Sequence, residues 1–146
     1  MNSTALPDSE EKKTNRDRGI IAVKQNHKTF VRIAIPMLFS EKNRTFFTSE
    51  IKQITNEALQ LSPQGIIAAL EGMKVRKDLT SVYTNSQYPI TMVIGKEDPA
   101  LDYNSLIQQT KNTNVQVVEF PDGHMSHIEN KDELIATLTA FIKYCT

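Results

Sequence analysis

PITMVIGKEDPALD (89–102) and VQVVEFPDGHMSH (115–127) are the two stretches from which the fold of this chain is read. PITMVIG opens the first as a short, near-continuous apolar run, the pattern of a buried parallel strand, and VQVVEF opens the second as another strand. Between them Leu101 to Thr110 has helical spacing, with Asp102 placed to cap it. After them Asp132 to Tyr144 reads as an amphipathic helix that turns Leu134, Ile135, Leu138, Phe141 and Ile142 inward. The order strand, helix, strand, helix requires parallel strands joined by a crossover. Both strands then end at one sheet edge, where open α/β sheets bind their ligands. The loops leaving that edge carry Gly95-Lys96-Glu97-Asp98-Pro99 and Asp122-Gly123-His124-Met125-Ser126-His127. Asp98 and His124 are therefore predicted to be neighbours. A carboxylate beside an imidazole fixes the tautomer of the ring and stabilises its protonated form, which is the supporting half of a nucleophile–His–Asp triad.

Upstream, Asp8 to about Thr84 gives helical signals and hardly any strand signals, so the chain divides into a helical cap-like segment (1–88) and a β-α-β-α unit (89–146). Asp8 or Ser9 caps a helix over 9–25, with Glu10 and Glu11 in its first turn. Thr29 to Phe39 is a second amphipathic stretch, placing Phe30, Ile33, Met37 and Leu38 on one face, with Pro36 as its kink or end. Thr48 or Ser49 begins a helix lined by Ile51, Ile54, Ala58, Leu59 and Leu61. Ser62 and Pro63 cap and open another over 62–76, and a short helix starts at Asp78. Met37, Met73 and the Phe46–Phe47 pair read as core or lid residues.

Composition narrows the function classes. Of 146 residues, 17 are Lys or Arg and 17 Asp or Glu, so no basic surface for nucleic acid or anionic lipid is expected. No apolar run approaches the roughly 18 residues of a membrane span, and MNSTALPDSEEKK lacks the apolar centre of a signal peptide. The single cysteine, Cys145, excludes an internal disulfide. A cytoplasmic location is the expectation. Neither G-x-G-x-x-G nor a P-loop is present, which leaves a nucleotide-binding reading without support.

Several residues have plainer readings. Asp98 before Pro99 suits a turn, and His124 alone suits an exposed loop. His124, His127 and Glu129 lack the spacing of a metal site, so no metal or cofactor is expected and His127 is assigned a structural place near the last helix. Ser126 lies beside the base without an elbow or oxyanion donors, which makes it a poor nucleophile. His27 is expected in solvent.

PITMVIGKEDPALD followed by VVEFPDGHMSHIENKDELIATLTAFI (117–142) resembles the last two strand–helix units of an α/β-hydrolase, closest to the esterase, lipase and haloperoxidase-like group. The resemblance implies Asp98 as the catalytic acid, in the G-x-x-D loop, and His124 as the catalytic base, in the G-H loop. STALPDSEEKKTNRDRGIIAV (3–23) resembles the stretch after the family's sixth strand, and the helices up to GMKVRKD (72–78) resemble its cap. The implied fold is a partial α/β-hydrolase: a helical cap followed by a parallel β-α-β-α unit.

The family's nucleophile sits in a G-x-S-x-G elbow upstream of the acid and base. The five glycines here, Gly19, Gly65, Gly72, Gly95 and Gly123, build no such elbow. The expectation is a C-terminal half that holds acid and base but is inactive alone, and that acts on a small ester-like substrate when complemented by an N-terminal half. The strand Ile90–Ile94 would then have one edge unpaired, so self-association through that edge is expected. The alternative is a non-catalytic interaction or small-ligand-binding domain of the same fold.

Overall fold

The computed structural model describes residues 1–145. Helix α1 (Glu10–Ala34) is capped by the Ser9 hydroxyl, which accepts from Lys12 N at 3.3 Å. It is interrupted at Asn26 (φ −160°, ψ 90°), whose side chain caps a fresh start by accepting from Thr29 N at 3.0 Å. The two helices read from sequence are these two segments. The second ends at Ala34 because Pro36 has no N–H to continue the ladder, and a 3-10 turn (Pro36–Leu38) follows. The buried residues here are Val31 and Phe39, whereas Ile33 and Met37 are exposed. The expected face was wrong for those two because α1 packs toward α4 on the side of Ile20, Val23 and Phe30, which meet Leu70, Ile66, Ile67 and Met73.

After the short α2 (Asn43–Phe46), α3 (Thr48–Ala58) buries Ile51. Phe46 is 78% exposed and packs edge-on against Phe47, which in turn faces Phe39. Helix α4 (Pro63–Lys74) starts as expected, with Ser62 Oγ accepting from Gly65 N at 3.1 Å. Helix α5 (Ser81–Asn85) begins later than expected, because Asp78 spends its side chain on Thr80, accepting from its N and Oγ1. No helix among the described residues is long and apolar enough to cross a membrane.

Strands β1 (Thr91–Gly95) and β2 (Gln116–Phe120) pair in parallel, from Thr91 opposite Gln116 to Gly95 opposite Phe120. Helix α6 (Tyr103–Thr110), capped by Asp102, makes the crossover. Met92 and Ile94 pack against Leu106 on one face of the sheet, and Val93 joins Phe120 and Leu134 on the other. The alternation follows from the two-residue strand repeat. The chain closes with α7 (Ser126–Glu129) and α8 (Lys131–Cys145). Only Leu134 of the expected inward set on α8 is buried. Ile135, Leu138 and Ile142 are exposed, because a two-stranded sheet covers only a strip of the helix. On the outer edge of β1 one position is occupied: Asn2 N donates to Val93 O at 2.9 Å.

Candidate functional site

The site is built where β1 and β2 end. The parallel ladder runs past both strands, with Lys96 N donating to Phe120 O at 2.9 Å and Glu97 N to Asp122 O at 3.1 Å. The two loops touch at their glycines. A Cβ on Gly95 would lie 2.5 Å from Asp122 O and 3.1 Å from Gly123 C, so only glycine lets the backbones approach this closely.

Asp98 follows in a turn of its own making. Its Oδ1 accepts from Ala100 N at 2.8 Å and Leu101 N at 3.1 Å, which fixes the carboxylate in the turn. Its Oδ2 lies 2.8 Å from Nδ1 of His124. The Asp98 side chain is fully buried, while a quarter of the His124 side chain remains exposed. An ionised carboxylate can only accept, so the ring nitrogen facing it carries the proton and Nε2 is left as the acceptor. The predicted neighbours are thus in contact, in the arrangement that prepares an imidazole to take a proton.

The helical segment supports this pair from outside. His124 N donates to Leu38 O at 3.0 Å, and Asn2 Nδ2 donates to Gly123 O at 3.3 Å. Lys42 bridges the two loops, reaching Asp122 at 3.0 Å and Glu97 at 3.3 Å. Its hydrogen bond to Asp122 holds its ammonium above the ordinary lysine value; desolvation opposes this and the hydrogen bond to Glu97 adds to it. Asn130 Nδ2 donates to Asp122 Oδ2 at 2.8 Å, which satisfies the buried face of that carboxylate.

The remaining candidates lie apart from this pair. His127 is exposed on α7, His27 is half-buried beside the break in α1, and Cys145 is exposed. Ser126 is buried with its hydroxyl unpartnered. Among the described residues no group of three His, Cys, Asp or Glu is placed to hold a metal ion. Sequence reasoning missed Lys42 and the part played by Asp122, since a surface lysine in a polar loop gives no periodic signal. It weighed Glu129 only as a metal ligand, although the side chain is buried.

A parallel β-α-β-α unit with helices on both faces of its sheet, packed with a helical segment, matches part of the α/β-hydrolase fold. Solved structures show the same fold. An esterase from Thermogutta terrifontis superposes with a TM-score of 0.86 at 24% identity over 99% of this chain. An esterase from Exiguobacterium antarcticum gives 0.81 at 15% identity over 96%, and an enol-lactonase from Burkholderia xenovorans gives 0.80 at 19% identity over 97%. The chain spans 54% of the length of each of those solved chains. No family model and no curated protein matches the sequence.

Proposed function

We propose that this chain is the acid-and-base half of an esterase-type α/β-hydrolase, which works with a serine nucleophile carried on the preceding half of the fold. The observation that carries the reading is the 2.8 Å contact between buried Asp98 and His124 across two strand-end loops. In that role His124 Nε2 takes the proton of the serine hydroxyl as it attacks the ester carbonyl, then returns it to the departing alkoxide. Asp98 keeps Nδ1 protonated and stabilises the imidazolium between the two steps. Water, deprotonated by the same imidazole, then releases the acid product. The chain supplies neither the elbow nor the oxyanion donors, so the expected activity of 1–146 alone is negligible.

The test is labelling with a fluorophosphonate probe, read by intact mass and peptide mapping. The chain is assayed alone and after addition of a polypeptide carrying the N-terminal half of an esterase of this fold. Labelling of the added elbow serine only in the mixture, abolished by His124→Ala, is the expected result. Labelling of a serine in this chain alone would overturn the half-site reading. A mixture that associates but takes no label would refute the proposed division of labour. Ligand binding indifferent to Asp98→Asn and His124→Ala would instead favour a non-catalytic domain.

A further inference from the structure

Glu129 is a buried carboxylate with no part in the proton transfer just described. Its Oε1 accepts from Ser40 N at 2.9 Å, Ser40 Oγ at 3.0 Å and Asn43 Nδ2 at 3.1 Å. Its Oε2 accepts from Met125 N at 3.1 Å. All four donors are neutral, and a buried carboxylate is costly unless such donors satisfy both oxygens. They belong to two segments that sequence places far apart. Ser40 and Asn43 lie where the chain enters the second part of the helical layer, and Met125 directly follows His124. The two segments touch elsewhere as well: His124 N donates to Leu38 O, and a Cβ on Gly123 would come within 2.8 Å of Glu129 Oε2 and 3.0 Å of Phe39 C.

We propose that Glu129 is a positioning residue that laces segment 38–43 of the helical layer to the loop of His124, so that the place of that layer sets the orientation of the imidazole. The naming of His124 as a base rests on the function proposed above; the coupling itself rests only on these contacts. A rearrangement of segment 38–43 is transmitted to the loop of His124 through this carboxylate, alongside the direct His124 N–Leu38 O bond. Either orientation of a glutamine at this position sets an NH2 group against a donor, either Met125 N–H or the Ser40 and Asn43 donors.

Nitrogen-15 NMR of the complete chain tests this. The readouts are the ring resonances of His124, which report its tautomer, and amide exchange at Ser40, Met125, Val93 and Ile94. In Glu129→Gln the Ser40 and Met125 amides are expected to exchange about tenfold faster or more, as loss of a bond to a charged acceptor implies. The strand amides keep their protection, and the His124 ring moves from the single Nδ1–H tautomer toward a mixture. Asn43→Ala removes one donor and touches neither His124 nor its loop, and it is expected to shift the ring in the same direction. This second variant decides the matter if Glu129→Gln does not fold. Faster exchange with unchanged His124 ring resonances in the variants that fold would show a merely structural Glu129 and overturn the proposal. Failure of the functional reading looks different: the complemented mixture takes no label while the coupling between residue 129 and the ring persists.

Discussion

Alanine at two glycines should move stability in opposite directions, and the structure gives the size of each effect. Gly123 does not have a positive φ, so alanine meets no conformational barrier there. The cost is steric. The added Cβ would sit 2.8 Å from Glu129 Oε2 and 3.0 Å from Phe39 C, and closer still to Ser40 N. Two of these neighbours are backbone, so the 38–40 segment must move away as a unit. That motion weakens the bonds from Ser40 N to Glu129 and from His124 N to Leu38 O, at about 1 kcal/mol each. Residual overpacking adds about 1 kcal/mol or more. The total, about 3 kcal/mol, corresponds to a fall in Tm of about 10 °C for a chain of this size. Gly72 lies inside α4, and its would-be Cβ meets nothing within 4 Å beyond the local helix backbone. Alanine there gains about 0.5–1 kcal/mol of helix propensity, or about 2–3 °C. Circular dichroism melts of wild type, Gly123→Ala and Gly72→Ala, backed by urea titrations, measure both. A Gly123→Ala melt within a degree of wild type would refute the close-approach reasoning, as would a Gly72→Ala protein equally damaged.

Three further outcomes are expected. Asp8→Asn strips the buried partner from Arg16 (3.1 Å) and Arg76 (3.0 Å) and should cost about 3 kcal/mol in urea unfolding; a loss under about 0.5 kcal/mol would show that these two ion pairs carry little. In the complemented protein Asp98→Asn should lower kcat about 10⁴-fold with little change in KM, because Nδ1 loses the acceptor that fixes its proton; an equal rise in KM would assign Asp98 to binding instead. At the exposed cluster by α6, Lys96 first, then Tyr103, hold the Glu119 carboxyl below its ordinary value of 4.5. Its stabilisation is therefore present above that value and lost as pH falls through the depressed folded one, so Glu119→Gln should flatten the acid limb of the stability curve. High salt should shrink the difference, and an unchanged acid limb would count against the pairing.

What could be read from sequence was what local rules and chain direction dictate. Parallel strands must end at one edge, so two loops carrying Asp98 and His124 had to meet whatever else the fold did. Ser9, Ser62 and Asp102 announced their helices because a cap is a local hydrogen bond. Asn26 divides α1 for the same reason, and periodicity already broke there. Burial on α8 was not legible. Ile135, Leu138 and Ile142 have core character, but what covers them depends on how many strands stand beside β2. Glu129 was hidden differently: it lies on a helix of four residues, too short for any period, and its partners Ser40 and Asn43 come from the other end of the chain. Long-range polar lacing of this kind leaves no pattern in a single sequence.

The bond from Asn2 N to Val93 O has a consequence for whatever strand comes to lie beside β1. One carbonyl in the middle of that lane is already claimed, by a residue whose side chain also holds Gly123 O. A slip of a single residue turns every side chain of a strand to the opposite face. Asn2 thereby acts as an index mark: any strand laid beside β1 would have to pair around a carbonyl whose outward face is already taken.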